Sequence, residues 1–75
     1  MTLKDFIEAF AAEFDDTELS EFKADTEFKS LDEWSSLTAL SIISMVDEQL
    51  DKTITGADIR ASKTIEDLYN MVISK

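Results

Sequence analysis

The stretch SLTALSIISMVDEQL, Ser36 to Leu50, contains neither glycine nor proline and is dense in leucine, isoleucine, alanine and methionine. A run of that length and composition reads as a helix, the central one of the chain. Placing Ser36 at zero and advancing about 100° per residue puts Ala39, Ile42, Ile43, Val46 and Leu50 between roughly 240° and 340°. This arc is the expected core stripe. Ser36, Leu37, Leu40, Ser41, Ser44, Asp47 and Glu48 fall between about 0° and 140°, a face mixing apolar, hydroxyl and acidic groups that simple solvation does not explain.

Upstream, Leu3, Phe6, Ile7, Phe10 and Phe14 recur at the spacing of one helix face, and Thr2 with Asp5 has the form of a capping box. From Asp15 to Ser35 the periodicity gives way to acids, threonines and serines, interrupted by Leu19, Phe22, Phe28, Leu31 and Trp34. A polar connector this long is unusual in a compact domain, so these five residues are expected to pin it, with a helical turn near Leu19 to Phe22. Downstream, Thr55-Gly56-Ala57-Asp58 and Thr64-Ile65-Glu66-Asp67 each repeat the cap-plus-acid pattern. The first opens a short helix through Ile59 and Arg60, and the second a final helix carrying Ile65, Leu68, Tyr69 and Val72. The expectation is an all-α four-helix bundle with three longer helices, one short helix and a long first loop. Residues 1–75 form a single domain on this reading, with no room for a second.

The chain has no cysteine and no histidine. That excludes disulfides, thiol nucleophiles, thiolate or imidazole metal sites, and Ser-His or Cys-His catalysis. The best calcium-loop window, Asp51 to Ser62, ends in serine where a bidentate glutamate is required, so no metal site is expected. A catalytic carboxylate pair lacks any sequence feature that would build a pocket around it, which makes a free-standing enzyme the weakest reading. A net charge of −10 repels phosphate backbones and anionic lipid surfaces, disfavouring nucleic acid and membrane insertion. The acids concentrate before Trp34, eleven against three bases, so the surface favours cationic partners. Such self-repulsion predicts that added salt or magnesium raises the melting temperature near neutral pH; an unchanged or falling value contradicts it. Lys4 to Phe14 alternates apolar and acidic residues, unlike a signal peptide, and no run approaches the ~20 apolar residues of a membrane span. A cytoplasmic monomer is expected.

Ser35 and Ser36 stand where the connector meets the central helix. Serine is a preferred N-cap, so one hydroxyl can satisfy an orphan backbone N–H. The positive end of the helix dipole also favours a phosphate on an exposed serine, and both roles can coexist with Ser35 capping and Ser36 modified.

Trp34-Ser35-Ser36-Leu37, leading into the apolar helix that ends with Asp47, Glu48 and Leu50, with Ile54 beyond and Phe28 eight residues before Ser36, resembles the acyl carrier proteins. The likeness runs from Thr2 to Val72. It implies that Ser36 carries 4′-phosphopantetheine, that a phosphopantetheinyl transferase attaches it, and that the chain shuttles acyl thioesters among fatty-acid, lipid or polyketide enzymes without being an enzyme itself. The thiol would come from the arm, since the chain encodes none. Ser35 stands where the family usually has aspartate, which keeps the cap and removes a charge. Thr38 and Ser41 occupy positions that are often acidic. The resemblance further suggests Leu37, Leu40, Ser41, Asp47 and Glu48 as a docking patch for enzymes with basic surfaces. It also suggests an acyl pocket lined by Phe28, Ile42, Val46, Ile54, Ile59 and Tyr69. The alternative is an unmodified acidic helical adaptor that binds a basic protein partner.

Overall fold

The computed structural model describes residues 1–75. Four α-helices form, with no strand: α1 (Leu3–Ala11), α2 (Ser36–Leu50), α3 (Gly56–Ala61) and α4 (Ile65–Ile73). This is the expected all-helical architecture, three longer helices and one short. The long first loop holds two 3₁₀ turns, Leu19–Glu21 and Phe28–Ser30. The first lies where the sequence places a helical turn. Helix α1 packs against α2 and α4, and α3 packs against α4.

Local chemistry sets the helix starts. Thr55 and Asp58 form a complete capping box at α3, and Thr64 and Asp67 do so at α4, each threonine oxygen accepting the third backbone N–H while the aspartate accepts from the cap residue. At α1 only half the device is present: Thr2 Oγ1 accepts from the Asp5 N–H at 3.1 Å, without the return bond. Helix α2 ends on Asp51 in the left-handed region, at φ 54°, a position usually given to glycine.

The core is built around phenylalanine. All five, Phe6, Phe10, Phe14, Phe22 and Phe28, are buried together with Ile42, Met45, Val46, Ile54, Ile59, Ile65, Leu68 and Val72. Phe10 is the hub, its ring centroid 5.3 Å from that of Phe28, 5.6 Å from Phe14, 6.2 Å from Phe22 and 6.3 Å from Phe6.

Three expectations need correction. Helix α1 stops at Ala11, and Phe14 enters the core from a following turn in which its N–H donates to the Ala11 carbonyl at 3.0 Å. On α2 the buried face is centred nearer Ile42 than the wheel places it. Met45 is buried while Ala39, Ile43 and Leu50 are only half-buried, because α1 and its phenylalanines cover the Met45 side. Leu19 is not an anchor: it is 56% exposed, and Phe22 and Phe28 pin the loop, with Leu31 and Trp34 packed against the core.

Polar ties complete the loop's anchoring. The Ile65 and Glu66 N–H groups at the start of α4 donate to the carbonyls of Thr26 and Ala24, at 3.2 and 3.0 Å. Orphan donors of a helix end are thereby satisfied by the loop itself.

Candidate functional site

The N-terminus of α2 is held by a chain of hydrogen bonds. Ser35 is extended and caps the helix, its Oγ accepting from the Thr38 N–H at 3.3 Å. Ser35 Oγ also lies 3.2 Å from Thr38 Oγ1, and Thr38 Oγ1 donates to the Glu33 carbonyl at 2.8 Å. The Glu33 carboxylate in turn accepts from the N–H groups of Asp15 and Asp16, at 3.2 and 2.9 Å, and from the Thr17 hydroxyl. One residue thus ties the segment after α1 to the start of α2.

These bonds, the Thr17 hydroxyl first, hold the Glu33 carboxyl below its ordinary value of 4.5, against a smaller opposing effect of desolvation. Because its folded-state value is depressed, its stabilising contribution is complete above the ordinary value and lost as the pH falls through the folded one. Glu33→Gln is therefore expected to lower the melting temperature at neutral pH, and that deficit should shrink as the pH falls below the ordinary value of 4.5. A deficit that stays constant across this range contradicts the assignment.

Next to this clamp, Ser36 is the first residue of α2, exposed, and its hydroxyl has no hydrogen-bond partner in the protein. The two serines have thus divided their roles: one oxygen is committed to the cap and the other is free. A surface groove of about 370 Å³ borders Ser36, lined by Lys29, Trp34, Ser35, Ser36, Ala39, Gly56, Ile59 and Arg60. A phosphoryl-linked group on the Ser36 oxygen fits these residues, with a helix N-terminus behind it, two cations on the rim and open solvent in front.

Comparison with protein families matches residues 5–72 to the family described as phosphopantetheine attachment site. The chain belongs to that family. No curated protein and no solved structure matches it. As a member of the phosphopantetheine-attachment family it is a carrier whose prosthetic group, 4′-phosphopantetheine, is bound covalently. Carrier domains of this family are non-catalytic, and they work with a phosphopantetheinyl transferase and with acyl-processing enzymes.

The remaining candidate residues divide into two sets. Leu37 and Leu40 are 76% and 59% exposed, Asp47 and Glu48 are exposed, and Ser41 is half-buried. Leu37, Leu40, Ser41 and Glu48 line a second groove of about 380 Å³ that also takes in Glu13 from the turn after α1, whereas Asp47 lies outside it. Phe28, Ile42, Val46, Ile54 and Ile59 are buried in the common core, and Tyr69 packs against it. Of these six only Ile59 borders a cavity, the groove beside Ser36. Tyr69 sits with its ring 5.4 Å from Phe6, its hydroxyl donating to the Met1 carbonyl at 2.8 Å.

Sequence reasoning missed Glu33, Lys29 and Arg60. Glu33 looked like one acid among eleven, since its partners are 16 to 18 residues upstream. No local pattern shows Lys29 and Arg60 meeting, although Lys29 Nζ donates to the Arg60 carbonyl at 2.9 Å.

Proposed function

We propose that Ser36 is the attachment residue and that the chain is an acyl carrier, holding acyl groups for fatty-acid, lipid or polyketide biosynthetic enzymes. The observation that supports this most is the division of labour at the start of α2: the Ser36 oxygen is exposed and unpartnered while Ser35 occupies the cap. The prosthetic group supplies the thiol on which cargo travels as a thioester, which the chain itself lacks because it contains no cysteine.

The chain's own residues do three things on this reading. Ser35, Thr38 and Glu33 fix the helix end so that Ser36 is presented outward. Leu37, Leu40, Ser41, Asp47 and Glu48 offer a mixed apolar and acidic face to enzymes carrying basic patches, the leucines giving contact area and the acids steering the encounter. Phe28, Ile42, Val46, Ile54, Ile59 and Tyr69 form the apolar interior into which a chain-length-dependent cargo would withdraw, by parting side chains that are packed together here. The carrier works as a cytoplasmic monomer on this reading. No helix is long and apolar enough to cross a membrane.

Coexpression with a broad-specificity phosphopantetheinyl transferase followed by intact-mass measurement tests the reading. One added phosphopantetheine is expected. An unchanged mass despite an active transferase contradicts it and favours the acidic adaptor, whose binding to a basic partner needs no modification.

A further inference from the structure

In a chain of seventeen acids and seven bases, the groove beside Ser36 is lined by two cations and no acid. Each of the three other grooves has either an acid in its lining or a single lysine. Neither cation is neutralised elsewhere, because the one ion pair in the structure joins Lys75 to Asp58 at 3.0 Å. Both are also directed onto this spot. Lys29 Nζ is fixed by its bond to the Arg60 carbonyl, which ties the first loop to α3. The Arg60 guanidinium lies against Gly56, where a Cβ would come within 3.3 Å of it, so the bare glycine leaves room for the guanidinium at the groove. The same lining includes Trp34 and Ile59, so the groove pairs the two cations with apolar surface.

We infer that Lys29 and Arg60 hold the phosphodiester of the arm against the protein, so that the first part of the arm lies on the groove and does not swing freely. This rests on Ser36 being the attachment residue. The physical reason is local: a net charge of −10 repels an anion over most of this surface, and the groove is where two unpaired cations and the α2 N-terminus attract it. The attraction is that of exposed charges, so the arm is held as a majority population and remains releasable to a partner enzyme.

Phosphorus NMR of the holo-protein reads this directly, with Trp34, the only tryptophan, as a second reporter in the same groove. In wild type the phosphorus signal is expected to be broader than in the Lys29→Gln/Arg60→Gln double variant, whose held-to-free ratio falls about fivefold, as for the loss of exposed charge pairs. Trp34 emission should shift on arm attachment in wild type and much less in the double variant. About 1 M sodium chloride added to the wild-type holo-protein should reproduce the variant's spectrum without any substitution. The charge-conserving Lys29→Arg/Arg60→Lys variant should keep the wild-type signal. A phosphorus linewidth and Trp34 emission that respond to neither the substitutions nor the salt overturn the inference while leaving the carrier reading intact. A preparation whose arm is absent, or attached elsewhere than Ser36, overturns both.

Discussion

Phe10→Ala should abolish stable folding of the chain near body temperature. Phe10 is fully buried, and its ring meets those of Phe6, Phe14, Phe22 and Phe28, which come from α1 and the first loop. Truncating such a residue costs about 3–5 kcal/mol through lost burial and an uncollapsed cavity. Domains are stable by roughly 0.05–0.15 kcal/mol per residue, so the loss takes most of what a chain this small has. The melting temperature should drop by tens of degrees, at about 4–8 °C per kcal/mol. Leu37→Ala, at a residue 76% exposed, should stay within about 0.5 kcal/mol of wild type. Thermal melts followed by circular dichroism separate the two; a Phe10→Ala variant melting within a few degrees of wild type contradicts the account of the core.

Ser36→Ala should have the opposite profile, losing all arm attachment while leaving the fold nearly unchanged. The Ser36 hydroxyl makes no bond within the protein, so its removal unpairs nothing, and alanine is at least as good a helix former. Ser35→Ala should reverse both outcomes. It removes the oxygen that accepts the Thr38 N–H, at a cost of about 1 kcal/mol, yet leaves the modified hydroxyl in place. The crossed pair is informative because each variant controls for the other: a defect in both attachment and stability in either one alone would show that cap and attachment are not divided as described. Full arm attachment in Ser36→Ala contradicts the site outright.

What was legible in the sequence was what depends on neighbours along the chain. Thr55 with Asp58 and Thr64 with Asp67 mark helix starts because the capping bonds span three residues, and both are found in full. The central helix begins and ends where its composition predicts, Ser36 to Leu50. Choosing Ser36 over Ser35 took the helical register, which places Ser36 first in the helix, together with the family resemblance carried by Leu37 after it.

What was not legible depends on distant residues meeting. Met45 is buried because α1 and its ring cluster cover that side of α2, which a helical wheel of α2 cannot contain. Phe14 keeps the helical spacing of α1 yet reaches the core from a turn beyond it. Leu19 has the same composition signal as Phe22 three residues on, but faces solvent. The clamp at Glu33 and the cationic pair beside Ser36 arise only when the first loop folds back on itself and onto α3, and a carboxylate or lysine gives no sequence sign of such a contact.

The central claim is that the second of two adjacent serines is the one left free for chemistry. Fragmentation mass spectrometry of the peptide spanning Trp34 to Leu37, taken from protein purified with its prosthetic group in place, tests it at the level of a single oxygen. The account predicts the phosphopantetheine mass on Ser36 with Ser35 bare. The same mass on Ser35, or a peptide bare at both serines while the arm sits elsewhere in the chain, contradicts it.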